Sequence, residues 1–329
     1  MMTTKNNREI QHQVLLWLLG LVISAATLVS CFQRHEPILR IATNVWPGYE
    51  TLYLARSLGY YDDRSIRLVE MTSSSQVSQA LRNGTIEAGC LTLDETLSLL
   101  QDNVNLRVVL IMDISHGADV VMARPGIAGL KALRNKRVGV ENAAVGAIML
   151  DAALEAGGLQ AADVNIVPIT PDEHAAAYLS GKVDAVVTFE PVRSQLLKAG
   201  AHVLFDSTQV PGRIIDVLVV RAEDAANHTR ELKELLDGHF KALEYLKNNP
   251  QDAAKRMAPR LNGDALEQFA GIHLPDLKEN RNFLSSDSLR LKSIAHELAE
   301  LMIRRKLLQR PVAADSLADS SYLPGGMHE

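Results

Sequence analysis

The sequence predicts an α/β protein of two similar lobes with a helical C-terminal part, and three features of its 329 residues carry that expectation. Short β-branched runs alternate with amphipathic stretches as far as Arg221, the pattern of parallel sheets covered by helices on both faces. The unit Gly84-Thr-Ile-Glu-Ala88 recurs as Gly181-Lys-Val-Asp-Ala185, each copy after a helical pattern and before a strand pattern. Beyond Val210 the texture becomes mostly helical. The length alone suits about two domains of roughly 150 residues each.

The elements follow in order. A β-branched run at 39–43 precedes the turn signal Trp46-Pro-Gly48, and a helix at 52–58 ends at Gly59. After a strand at 67–71, Ser73-Ser-Ser-Gln76 reads as a capping box whose helix stops at Gly84. A strand at 88–91 leads into a second box, Thr92-Leu-Asp-Glu95, and strands follow at 106–112 and 119–123. The pattern then restarts with a strand at 137–140, a helix at 145–156 stopped by Gly157-Gly158, and a strand at 165–168. Thr170-Pro-Asp-Glu173 is a box with proline at the first helical position, and 185–188 is a strand leading to Glu190-Pro191 and a helix ending near Gly200. Residues 213–221 read as a strand returning to the first lobe, before helices at 229–248, 252–260, 264–271 and 285–306. The expected division is lobe 1 at 38–123 plus 213–309, lobe 2 at 124–212, and a surface-hugging or mobile tail at 310–329. Two chain crossings between lobes would make a hinge.

The N-terminus reads as an export leader. Lys5 and Arg8 precede an apolar run at 14–29, between a secretory core and a minimal membrane span in length. Leu28-Val29-Ser30-Cys31 resembles the bacterial lipobox, in which the cysteine is lipidated after cleavage. Residues 1–30 would then be a lipoprotein signal peptide, 31–37 a tether, and two acyl chains at Cys31 a stable anchor. An uncleaved anchor helix is the alternative. Either places the remainder on the periplasmic side of a bacterial membrane; Phe32 stands where inner-membrane retention would have aspartate, so the outer membrane stays open.

Composition narrows function. A net charge of −5 gives no bulk field for nucleic acid, and two cysteines, Cys31 and Cys90, make neither a disulfide framework nor a cysteine zinc site. Cys90 reads as a small buried hydrophobe. There is no G-x-S-x-G elbow, H-E-x-x-H pair, P-loop or G-x-G-x-x-G, so the expectation is a binding protein, not an enzyme, with no cofactor. Asp113, His116 and Asp119 lack a standard metal-ligand spacing, and no metal is expected there.

The runs Trp46-Pro-Gly-Tyr49, Ala80-Leu-Arg-Asn-Gly84, Ser115-His-Gly-Ala-Asp119, Val138-Gly-Val140 and Phe189-Glu-Pro191 resemble periplasmic substrate-binding proteins of the nitrate/sulfonate/taurine and thiamine-pyrimidine-precursor class. The resemblance runs from about Leu39 to Tyr322. It implies a two-lobe periplasmic-binding-protein fold of the type II, Venus-flytrap kind: a monomer that closes on a small-molecule ligand and delivers it to an ABC permease. A sensory role, docking on a membrane receptor, is the alternative; eukaryotic pyrimidine-precursor synthases of the same fold make an enzyme the third.

In open sheets, ligands lie beyond the carboxyl ends of strands, where helix N-termini point outward. That rule selects Asn44, Trp46, Tyr49, Ser74, Ser75, Thr92, Asp94, His116, Asp119, Asn142 and Glu190, with Phe189 beside the last. Trp46 and Tyr49 offer stacking or cation–π surfaces, and Ser74, Ser75, Thr92 and Asn142 offer groups to orient a polar ligand. Asp94, Asp119 and Glu190 outnumber the single base His116, which favours a neutral or amine-bearing ligand over an anion. Each residue also has a structural use: Ser75 and Thr92 as helix caps, Trp46 as a wall, Asp119 as a partner for a backbone amide, and Glu190 as a hinge or cap.

Overall fold

Two mixed sheets carry the fold in the computed structural model, which describes Trp17 and residues 37–141, 144–261, 264–285 and 290–325. Residues 38–325 fall within one compact unit. The leader and Cys31 lie outside the described residues, as does Asn142. Among the described residues no helix is long and apolar enough to cross a membrane.

In the first sheet, β1 (Leu39–Thr43) runs parallel to β2 (Ile66–Glu70) and β3 (Ala88–Thr92). β4 (Leu106–Ser115) belongs to the same sheet but does not pair with β3 directly. In the second sheet, β5 (Val120–Ala123) lies between β8 (Ala185–Thr188) and β9 (His202–Asp206), and β6 (Arg137–Val140) runs parallel to β7 (Asn165–Pro168) and β8. β10 (Ile215–Arg221) inserts between β3 and β4, antiparallel to both, and β11 (Ile272–His273) caps the β4 edge.

Two expectations need correction. The sheets are mixed, not parallel: β10 and β11 run antiparallel in the first and β5 in the second, β10 and β5 being the strands that follow the chain crossings. The run at 119–123, assigned to lobe 1, supplies β5 of the second sheet. Its residues alternate between two apolar clusters, Val121 and Ala123 on one face and Val120 and Met122 on the other, so the strand is buried on both sides. A charge-free run of that kind suits a central position. The crossings therefore fall at 116–119 and 207–214.

The repeated unit occupies matching places in the two sheets. Glu87 accepts from the backbone N–H and guanidinium of Arg40 on β1, and Asp184 does the same for Arg137 on β6. Gly84 and Gly181 turn at φ +65° and +81°, where a side chain would be strained. Beside them Arg221 reaches the Leu81 carbonyl (2.6 Å) and Arg124 the Tyr178 carbonyl.

The helix Thr229–Asn248 has the predicted bounds, and Pro250–Leu261, Ala265–Phe269 and Arg290–Arg304 lie within a few residues of theirs. The tail is packed against the molecule as far as residue 325. Val108 on β4 donates to the Leu317 carbonyl (2.7 Å) and accepts from the Asp319 N–H (2.9 Å), while Leu317, Tyr322 and Leu323 are buried. The segment covers an exposed stretch of the β4 edge.

Candidate functional site

The chain leaves β1 into the 3₁₀ turn Pro47–Tyr49, which carries its aromatic residues across the end of the first sheet. Trp46 is 5% exposed; its indole N–H donates to Asp113 Oδ2 (2.9 Å), and its ring meets Phe189 edge-on at 5.9 Å. Phe189 follows β8, so this contact joins the ends of the two sheets. The Tyr49 hydroxyl donates to Asp216 on β10, which stands opposite Asp113 on β4. Gly48 makes this arrangement possible: a Cβ there would fall 1.7 Å from Asp113 Oδ2.

Trp46, Tyr49, Phe189 and Asp216 border a cavity of about 50 Å³. From the first sheet come Asn44, Trp46, Tyr49, Ser74, Thr92, Glu95, Ile214 and Asp216; Asp119 lies at the crossing; Glu141, Val145 and Phe189 come from the second. Six of the residues selected from sequence meet here: Asn44, Trp46, Tyr49, Ser74, Thr92 and Asp119. Ser75 is exposed and faces a larger adjoining cavity of about 620 Å³. Asp94, 1% exposed, does not line the small cavity. His116 is exposed and points to no shared site, whereas Asp113 and Asp119 are buried. Glu190 accepts from the Ser194 backbone N–H (3.1 Å), the Ser194 hydroxyl (3.0 Å) and Arg193 (3.0 Å), which gives it the capping use.

Sequence reasoning missed Glu95, Glu141, Val145, Ile214 and Asp216 as lining residues. Glu95 was legible only as half of a capping box, and its carboxylate does accept from the Thr92 N–H (3.1 Å). Glu141 directly follows β6, so the strand-end rule could have found it. Asp216 lies inside β10, and only the antiparallel insertion of that strand brings it to the site.

Acidity dominates the electrostatics. Burial raises Asp119 to about 6, and burial with the charges of Glu95 and Asp119 raises Glu141 to about 7. Burial also pushes up Glu95, Asp113 and Asp216; the charge of Asp113 adds to the rise at Asp216, while hydrogen bonds from Trp46 and Asp216 offset part of the rise at Asp113. Asp119 Oδ2 and Glu141 Oε1 are buried without a hydrogen-bond partner among the described residues. No Lys, Arg or His lines the small cavity among the described residues. Such a site favours a cation or strong hydrogen-bond donor, whose charge lowers the neighbouring carboxyl pKa values.

The two crossing segments close one side. Ser115 and Ser207 share a hydroxyl contact at 2.8 Å, and Ser207 Oγ also accepts from the Gly117 N–H (2.6 Å), so the two crossings are tied beside Asp119.

Comparison with known proteins agrees with this architecture. A protein of Bacillus subtilis (strain 168) named for binding aliphatic sulfonates is 23% identical over 314 residues, 90% of each chain. The periplasmic aliphatic sulphonate binding protein SsuA from Escherichia coli superposes with a TM-score of 0.70 at 19% identity, covering 87% of this chain and 98% of that one. The desulfurization enzyme DszB has the same fold, with a TM-score of 0.63 at 20% identity over 87% of this chain and 97% of its own. The family model matches residues 33–262, and this two-lobed α/β chain belongs to the NMT1-like family.

Proposed function

We propose that this chain is the solute-binding component of an ABC importer, held outside the cytoplasm by lipid on Cys31, and that it takes a small nitrogen-bearing ligand between its sheets. The observation that carries the ligand class is the set of buried carboxylates facing one cavity with no cation among its described lining residues. An anionic head group placed there would meet Asp119, Glu141 and Glu95 without a compensating charge, a steep cost in a low-dielectric site. A protonated amine or aminopyrimidine would instead supply donors to Asp119 Oδ2 and Glu141 Oε1, with Trp46 and Phe189 as aromatic walls. In this reading the B. subtilis and E. coli relatives share the scaffold and differ in the charge of what they hold. Residues 38–119 with 215–325 would form one lobe and 120–206 the other, closing about the paired crossings.

The test is calorimetric titration with primary amines, aminopyrimidines and alkanesulfonates, followed by recovery and mass measurement of the ligand. Amine or aminopyrimidine binding that is lost in Glu141→Gln, with the ligand recovered unchanged, supports the reading; tight alkanesulfonate binding without amine binding overturns the ligand class. Turnover of the ligand would instead place the chain with the enzymes that use this fold. Anchoring has its own check: Cys31→Ala should move the protein from the membrane to the soluble fraction and abolish labelling by palmitate.

A further inference from the structure

We infer that the ligand is an amine with an apolar body, its cationic end at the carboxylates around Glu95 and Glu141 and its hydrocarbon part in the adjoining chamber. The inference rests on the cation-binding reading above and adds the second half of the ligand.

Size is the first argument. The acidic cavity, about 50 Å³, holds little more than a head group, whereas ligand sites commonly enclose roughly 300–1,000 Å³. The chamber beside it encloses about 620 Å³. Continuity is the second argument: Glu95 and Glu141 line both spaces, and consecutive residues Ser74 and Ser75 face one each. A molecule held by those two carboxylates therefore has one roomy direction in which to extend.

The walls supply the third argument. Leu99 and Leu307 face the chamber from the side of the first sheet; Val140, Ile148, Leu150 and Leu154 face it from the second. An apolar body between them would be covered by both lobes, so burying it would favour closure. The two arginines at the chamber wall are paired, Arg82 with Asp102 at 2.6 Å and Arg305 with Asp151 at 2.7 Å, so an anionic end there would have to displace a carboxylate.

The experiment titrates the full-length protein with propylamine, hexylamine and octylamine, and with hexanesulfonate, by calorimetry at pH 7.5. Affinity should rise about fourfold for each methylene buried. Ala147→Leu narrows the chamber from a half-buried helix position, and Leu307→Gln makes its opposite wall polar. Both should remove the chain-length gain while propylamine binds as before. Equal affinity for propylamine and octylamine would overturn the inference and leave the cation reading intact. A chain-length gain unchanged in both variants would place the hydrocarbon elsewhere and overturn it too. Hexanesulfonate binding with no amine binding would remove both.

Discussion

Asp119 and Glu141 hold protons more tightly in the fold than in the unfolded chain, and the sign of the consequence can be worked out. A carboxyl raised from its ordinary value to about 6 or 7 leaves the native state with more bound protons than the unfolded state between about pH 4 and pH 7. Its contribution to stability is therefore most favourable at low pH and declines as pH rises through that window. Glu141→Gln removes one such group, so without added ligand the variant should gain on the wild type in thermal midpoint as pH goes from 5 to 8. Amine affinity should move the opposite way and strengthen over the same interval, because the ionised carboxylates are the binding form; calorimetry in buffers of different ionisation enthalpy should record proton release. Trp46 supplies an optical reading of the same site. Only Trp17 and Trp46 are present, and cleavage before Cys31 would remove Trp17, so in the processed chain the emission of Trp46, packed against Phe189 and bonded to Asp113, should shift on amine addition. Gly48→Ala should displace the buried Asp113 carboxyl and break its hydrogen bond from Trp46, cost about 1–3 kcal/mol in denaturant unfolding and weaken binding.

The strands and helices show which parts of this fold local sequence could specify. Capping chemistry placed helix starts well: Ser73 accepts from the Gln76 N–H, and Thr170 with Glu173 forms the reciprocal contact expected after β7. The repeated Gly-x-x-acid-Ala unit was legible because its glycine and acid have fixed jobs, the turn and the clasp on Arg40 or Arg137. Asp184→Asn should cost about 1 kcal/mol or less by chemical unfolding, the scale of a solvent-exposed ion pair. The Arg137 guanidinium holds the Asp184 carboxyl down to about 2, so that contribution is present above about pH 4 and fades as pH falls toward 2. Partner choice was not legible. Val120 to Ala123 is an apolar run in either sheet, and nothing within it says that β8 and β9 flank it. Asp216 was hidden for the same reason, being an acid within an apolar strand until β10 pairs with β4. His116 and Glu190 were selected by their loop positions, but exposure decides the first and a helix start claims the second.

The molecule as a whole brings two carboxylate-bearing sheet ends together, and polar contacts among the described residues help to tie them. Ser115 and Ser207 join the crossings; Arg305 reaches Asp151 at 2.7 Å; and Lys198 reaches Glu267 at 3.4 Å. The last two pairs bridge helices packed on different sheets and are well exposed, so each is worth about 1 kcal/mol or less. Arg305→Ala and Lys198→Ala should each weaken ligand binding by less than about tenfold, with the loss diminishing at high salt. The overall design was readable from the repeat and the alternation, whereas the acid content of the site emerged only once strands distant in sequence were paired. The measurement closest to the central claim is one calorimetric comparison, a primary amine against the alkanesulfonate of the same chain length, at pH 6 and pH 8. The amine should bind, more tightly at pH 8 and with proton release, while the sulfonate gives no heat. Sulfonate binding that outcompetes the amine at both pH values would contradict it.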